Sequence, residues 1–146
     1  MQAKKITLVI AVILTAVIGS LASTQANSDL WYISLNKSDL NPPSYVFGIV
    51  WPILYVLMMI SAYLAHKRIY EIFIIQLVFN AAWSWLFFKF QMPLISLIDI
   101  CLLIVLNLYI TILMYRENKL AFILFIPYVL WISFASYLNL FIVINN

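Results

Sequence analysis

The run PLISLIDICLLIVLNLYITILMY, residues 93–115, holds a single charged residue, Asp99, in twenty-three positions. A helix rises 1.5 Å per residue, so about 20 apolar residues cross a ~30 Å hydrocarbon core. The run carries one charge, whereas a helix on a soluble core keeps a charged face toward water. It is read as a membrane span, opened by Pro93, whose missing N–H costs nothing in a first turn. Cutting the rest of the chain at its charges and prolines leaves four more such segments, at 6–25, 43–65, 69–90 and 119–144. The sequence therefore predicts an all-α membrane protein, a single domain made of a five-helix transmembrane bundle.

Composition supports this reading over the whole chain. Of 146 residues, 66% are hydrophobic and 9% charged, and the mean hydropathy is +1.08. A soluble domain of this size has too much surface to leave so few charges outside. The connections are short, at His66-Lys67-Arg68, Gln91-Met92 and Arg116-Glu117-Asn118, so consecutive helices are expected to be antiparallel neighbours. One connection is long: a lid over 26–42, holding Asp29, Trp31, Tyr32, Lys37 and Asp39 and closed by Pro42 and Pro43.

The net charge of +3 has a topological explanation. Lys4, Lys5, Lys67, Arg68, Arg116 and Lys119 fall on one side of the predicted membrane, and only Lys37 and Lys89 on the other. By the positive-inside rule the N-terminus is cytoplasmic, and the lid and C-terminus are outside. No basic stripe with stacking aromatics accompanies the charge, so nucleic acid is not an expected partner. The first segment has a competing reading. Lys4-Lys5, an apolar run and SLASTQA resemble a secretory signal, cleaved after Ala22 or Ala26, although the run is long for such a signal.

Polar residues at membrane depth carry the functional information. Gln76, Asn80 and Ser84 recur at steps of four and share one face of the third span. Ser96, Asp99 and Asn107 share an arc of the fourth, where Asp99 is the only acidic residue well inside a span. Such groups face the bundle interior or a cavity. For Gln76 and Ser96 the expected role is interhelical hydrogen bonding. For Asp99 and Asn80, function and structure weigh evenly.

Trp31, Tyr32 and Trp85 fit the aromatic belts of membrane surfaces. Trp51 lies deeper, about 12 Å below the start of the second span, and Trp131 about 20 Å from the end of the fifth. Trp51, Tyr55, Met58 and Ala62 share one face, as do Trp131, Ala135 and Leu138. Polar and aromatic faces of four spans thus meet at similar depth, which predicts an aromatic-lined chamber opening beneath the lid, the usual build of a small-molecule site.

Three stretches, WYISLNKSDLNPPSYVFGIVWPILYVLMMISAYL at 31–64, QLVFNAAWSWLFF at 76–88 and PYVLWISFASYLN at 127–139, resemble the translocator protein family, also called tryptophan-rich sensory proteins or peripheral-type benzodiazepine receptors. The likeness spans nearly the whole chain in order and spacing. It implies a five-helix receptor of the membrane, often a homodimer in contact with lipid, that binds porphyrins such as protoporphyrin IX and haem as ligands and needs no cofactor. In eukaryotic members it implies cholesterol and benzodiazepine-type drugs as well. The family's pocket falls on Gly19, Pro42, Trp51, Tyr55, Asn80, Trp83, Ser84, Trp131, Ala135 and Leu138, to which the polar pattern adds Asp99. The chain departs from its relatives before the double proline, where Lys37-Ser38-Asp39-Leu40-Asn41 replaces Lys-Pro and tryptophan, and Tyr45 stands for a later Trp. No basic residue follows Tyr137, so the animal members' proposed cholesterol motif is missing.

Enzyme chemistry finds little footing. His66 is expected in a short basic turn and Cys101 inside a span. No His, Cys, Asp and Glu cluster has metal spacing, and no nucleophile has a base at motif distance. The resemblance also implies light-dependent breakdown of bound porphyrin, with Trp51 and Trp131 as the redox-active rings. The preferred reading is a porphyrin-binding membrane receptor or sensor that transports, sequesters or helps dispose of tetrapyrroles. The alternatives are a small transporter of an amphipathic solute with Asp99 as coupling charge, and a scaffold subunit. Ile, Asn and Lys usage fits an AT-rich bacterial genome, so a bacterial cell membrane is the expected location.

Overall fold

The computed structural model describes residues 2–146, and among them there are helices and no strand. The helices are α1 (Gln2–Ser23), α2 (Leu30–Ser34), α3 (Ser44–Leu64), α4 (His66–Ser84), α5 (Pro93–Glu117) and α6 (Lys119–Asn145), and α4 runs on through a π-helical turn, Trp85–Lys89. Counting that turn with α4, the five long helices have 21 to 27 residues and are long and apolar enough to cross a membrane. Pro93 opens α5 as expected.

Hydrogen bonds explain where the helices begin. Asn118 caps α6, its Oδ1 accepting from the N–H of Leu120 at 2.9 Å and of Ala121 at 3.1 Å. The Glu117 carboxylate accepts the N–H of Lys67 at 3.1 Å and of Arg68 at 2.8 Å, so the last residue of α5 satisfies the first turn of α4. Asp29 caps α2 through the Trp31 N–H at 2.9 Å. Helix starts otherwise leave their first N–H groups without partners, which is costly near lipid.

Around the bundle the helices follow the order α1, α4, α5, α6, α3, each packed on the next and α3 closing back on α1. Consecutive spans are neighbours as expected for α1 and α3, α4 and α5, and α5 and α6, but not for α3 and α4. Only Ala65 separates α3 from α4, yet α1 stands between them in the ring and the two face one another across its interior. The basic triplet His66-Lys67-Arg68 is likewise not a loop but the first turn of α4, with His66 buried. The lid also differs from an irregular loop, because it contains α2.

Packing rather than water exclusion holds such a bundle together, since lipid is as apolar as leucine. Small residues let the helices approach: Ala62, Ala65 and Ala121 are fully buried. Larger side chains fill the centre, among them Phe73, Phe125, Tyr128 and Met58. Isoleucines, leucines and valines cover the outside. On a soluble protein so wide an apolar surface marks an interaction site; here it matches a bilayer.

Candidate functional site

A cavity of about 920 Å³ opens at the lid end, walled by α1, α3, the end of α4 with its π turn, α6 and the lid. Its character comes from α3 and α4. Trp51 on α3 lies 6.4 Å from Trp83 on α4 at an interplanar angle of 32°. Trp83 stacks on Phe87 at 5.7 Å and 19°, and Trp51 lies 5.7 Å from Tyr55. Flat faces are thus layered along one wall, an arrangement that suits a planar, polarisable guest.

Polar bonds hold these rings in place. The Trp83 Nε1–H donates to Asn139 Oδ1 at 3.1 Å, the same oxygen accepts from Ser96 Oγ at 2.9 Å, and Asn139 Nδ2 donates to the Pro93 carbonyl at 2.8 Å. Below the cavity a chain of bonds runs inward. Tyr55 donates to Asn80 Oδ1 at 2.8 Å, Asn80 Nδ2 to the Tyr128 hydroxyl at 2.7 Å, and Tyr128 to Gln76 Oε1 at 3.2 Å. Asn107 Nδ2 also donates to Gln76 Oε1, at 3.3 Å. Unpaired buried polar groups are costly, and here Asn80 serves two neighbours and Asn139 three.

Gly19 lets α1 approach this wall. A Cβ there would lie 3.5 Å from Ser84 Oγ and 3.7 Å from the Tyr55 hydroxyl, so a methyl just fits and a larger side chain does not.

The lid closes the cavity from the membrane surface. Trp31 and Tyr32 turn their rings onto Phe87 and Phe88 rather than standing free as a belt. Lys37 folds back over the Tyr32 ring at 4.5 Å and donates to carbonyls at the end of α2, that of Tyr32 among them. Burial lowers the Lys37 ammonium from its usual value. It raises the Tyr32 phenol, against a hydrogen bond with Asn41 that acts the other way. Two latches tie the lid to α6. Asn36 N–H donates to Asn146 Oδ1 at 2.8 Å while Asn146 Nδ2 returns a bond to the Asn36 carbonyl at 3.1 Å, and Ser38 pairs with the Tyr137 hydroxyl at 3.1 Å.

Among the described residues no Asp, Glu, Lys, Arg or His lines the cavity. Its polar groups are uncharged hydroxyls, amides and indoles, which fix orientation without holding a strong charge. No group of three or more His, Cys, Asp and Glu suited to a metal occurs among them either.

The residues singled out from the sequence divide by place. Gly19, Pro42, Trp51, Tyr55, Trp83, Ser84, Ala135 and Leu138 are in the wall. Asn80 is one bond behind it, reached through Tyr55. Asp99 and Trp131 are outside it. Asp99 is buried on α5 with Oδ2 lacking a hydrogen-bond partner, and α5 sends no side chain to the wall, so the four spans around the void are α1, α3, α4 and α6, with α1 in the place expected of α5. Trp131 stands edge-on to Phe47 at 5.8 Å, and it is Phe47 that faces the cavity. Phe47, Phe87, Phe88 and Asn139 were not singled out. Phe87 and Phe88 follow Trp83 and Ser84 by one turn, and Asn139 follows Ala135 by one turn, so helical spacing alone pointed to them. Trp85 is no free anchor, since its indole donates to the Ile18 carbonyl at 3.0 Å. Cys101 is exposed on the outside of the bundle.

Residues 7–144 match the family model described as the TspO/MBR family. The chain is 35% identical over 150 residues to the tryptophan-rich protein TspO of Archaeoglobus fulgidus, covering 98% of this chain and 97% of the relative. It is 33% identical to the tryptophan-rich sensory protein of Cereibacter sphaeroides over 134 residues, 85% and 83% of the two chains. To the human translocator protein it is 31% identical over 119 residues, 75% of this chain and 70% of that one.

Proposed function

Because the chain belongs to the TspO/MBR family and is an integral, multi-pass membrane protein, we propose that it binds a porphyrin, protoporphyrin IX or haem, in the cavity beneath the lid. Its role on this reading is that of a receptor or sensor that carries, sequesters or helps dispose of tetrapyrroles. The observation that carries the reading is the layered wall of Trp51, Trp83 and Phe87 along a void of about 920 Å³. That size lies at the upper end of the roughly 300–1,000 Å³ of small-molecule sites. A wide, flat, mostly apolar ring system gains most from such a wall, and a compact charged solute gains nothing from it.

The six basic residues counted above lie at the end of the bundle away from the lid, where Lys4 covers the Tyr70 ring at 4.8 Å and Lys5 the Tyr63 ring at 4.4 Å. On the positive-inside rule this end is cytoplasmic and the cavity serves the outer half of the membrane.

Equilibrium titration of the purified protein with protoporphyrin IX, followed by tryptophan fluorescence, tests the proposal. One saturable site is expected, weakened about tenfold by Trp51→Leu with Trp83→Leu, since stacking contributes about 0.5–1.5 kcal/mol per aromatic pair. Trp131→Phe, outside the wall, leaves the affinity unchanged. The absence of saturable binding, or equal affinity in the Trp51 and Trp83 double variant, refutes it.

A further inference from the structure

The cavity is not enclosed on its membrane side. Its wall on α1 runs from the buried face, where Val12 and Gly19 lie, round to Ile13 and Val17, which are 48% and 52% exposed. At 3.6 residues per turn the latter two sit across the helix from the buried face. The wall on α3 does the same, passing from Trp51 and Tyr55 to Pro52 and Val56 on the outward side. A slot therefore separates α1 from α3 in the lid-side half of the bundle. At the other end the two helices meet, with Lys5 of α1 over the Tyr63 ring of α3.

The rim of this slot is unusual for a helix surface in lipid. Gly48 stands inside α3, with no atom within 4 Å of where a Cβ would be. Glycine is the least favourable helix residue after proline, and packing does not demand it here. Four residues on is Pro52, which has no N–H to offer the Gly48 carbonyl. Bare backbone and a proline side by side cost most where lipid cannot bond to them, and are tolerated where a cavity is lined. At the lid the opposite holds. Asn36 with Asn146, Ser38 with Tyr137, and Gln91 Nε2 with Asp29 Oδ2 at 3.3 Å close the aqueous end.

We propose that the slot between α1 and α3 is the entrance of the site, through which a membrane-dissolved amphiphile passes sideways from the bilayer while the lid stays latched. Gly48 and, on the facing rim, Ser20 keep it wide enough for a flat ring. This rests on the ligand reading of the cavity given above.

The test is stopped-flow tryptophan quenching by protoporphyrin IX, with the protein in phosphatidylcholine vesicles. Gly48→Phe adds a ring at a position on the slot's rim where a Cβ meets no neighbour within 4 Å, and Ser20→Leu narrows the slot from the other helix. Each is expected to slow association and release together, by about tenfold or more, so that Kd moves far less than either rate. Releasing the latches with Tyr137→Phe plus Asn146→Ala leaves both rates as they are. Association that is unchanged in Gly48→Phe and Ser20→Leu, or that accelerates when the latches are released, overturns the lateral entrance and makes the lid the door. A wild-type protein without saturable quenching overturns the cavity reading itself, and the entrance with it.

Discussion

Asn80 shows how one side chain serves both stability and site. It accepts from Tyr55 in the cavity wall and donates to Tyr128 in the core, so removing it strands the Tyr55 hydroxyl and leaves Tyr128 only its bond to Gln76. Asn80→Leu is expected to cost about 1–3 kcal/mol, the range for a buried group left unpaired, moderated by the weaker net value of such bonds in membranes. Tyr55→Phe breaks only one bond and is expected to cost about 1 kcal/mol or less. Unfolding in mixed micelles by a denaturing detergent measures both. A larger loss for Tyr55→Phe would mean that the chain is not anchored on Asn80. At this scale much is legible in the sequence: the four-residue step of Gln76, Asn80 and Ser84 marks an inward face. Asp99 lies away from the cavity wall, because periodicity says that a residue faces inward, not which void it meets. Its face looks into the packed α4, α5 and α6 side, and the cavity lies on the opposite side, against α1 and α3.

The helices themselves were legible to within a few residues, since hydropathy fixes spans that must match a bilayer. Their order round the ring was not. Short loops suggest that consecutive helices are neighbours, but α1 wedges between α3 and α4, where Gly19 gives it close approach to Ser84 and Tyr55. The π turn was equally invisible, because nothing in WLFFK distinguishes a five-residue ring closure from an α-helical one. It shows in the Phe90 N–H donating to the Trp85 carbonyl at 2.8 Å. One prediction belongs here. Asn118 alone caps α6 with its side chain at the tight α5–α6 connection, so Asn118→Ala is expected to cost about 1 kcal/mol, and Asn118→Asp to retain most of the stability. Equal losses in the two variants, measured by the same unfolding assay, would remove the cap from the account.

For the molecule as a whole, the uneven distribution of charge makes a topological prediction. In a Cys101→Ser background, Ser34→Cys in the lid is expected to react with a membrane-impermeant thiol reagent added to intact cells. Gln2→Cys reacts only after the membrane is opened. The reverse pattern would invert the bundle. Ligand linkage makes another: a guest that binds only the folded bundle, present at about 100 times its Kd, adds about 2.7 kcal/mol to stability. Protoporphyrin IX is therefore expected to raise the unfolding midpoint. The central claim is that a porphyrin occupies the cavity beneath the lid. Ala135 lines that cavity on α6, whereas Val105 faces outward from α5 at 65% exposure. The most direct measurement is the affinity for protoporphyrin IX, from the shift of its own absorbance, in the wild type, Ala135→Phe and Val105→Phe. A single site weakened about tenfold or more by Ala135→Phe and untouched by Val105→Phe is the predicted result, because the new ring takes up room the guest needs. Equal affinity in all three would place the porphyrin elsewhere and contradict the account.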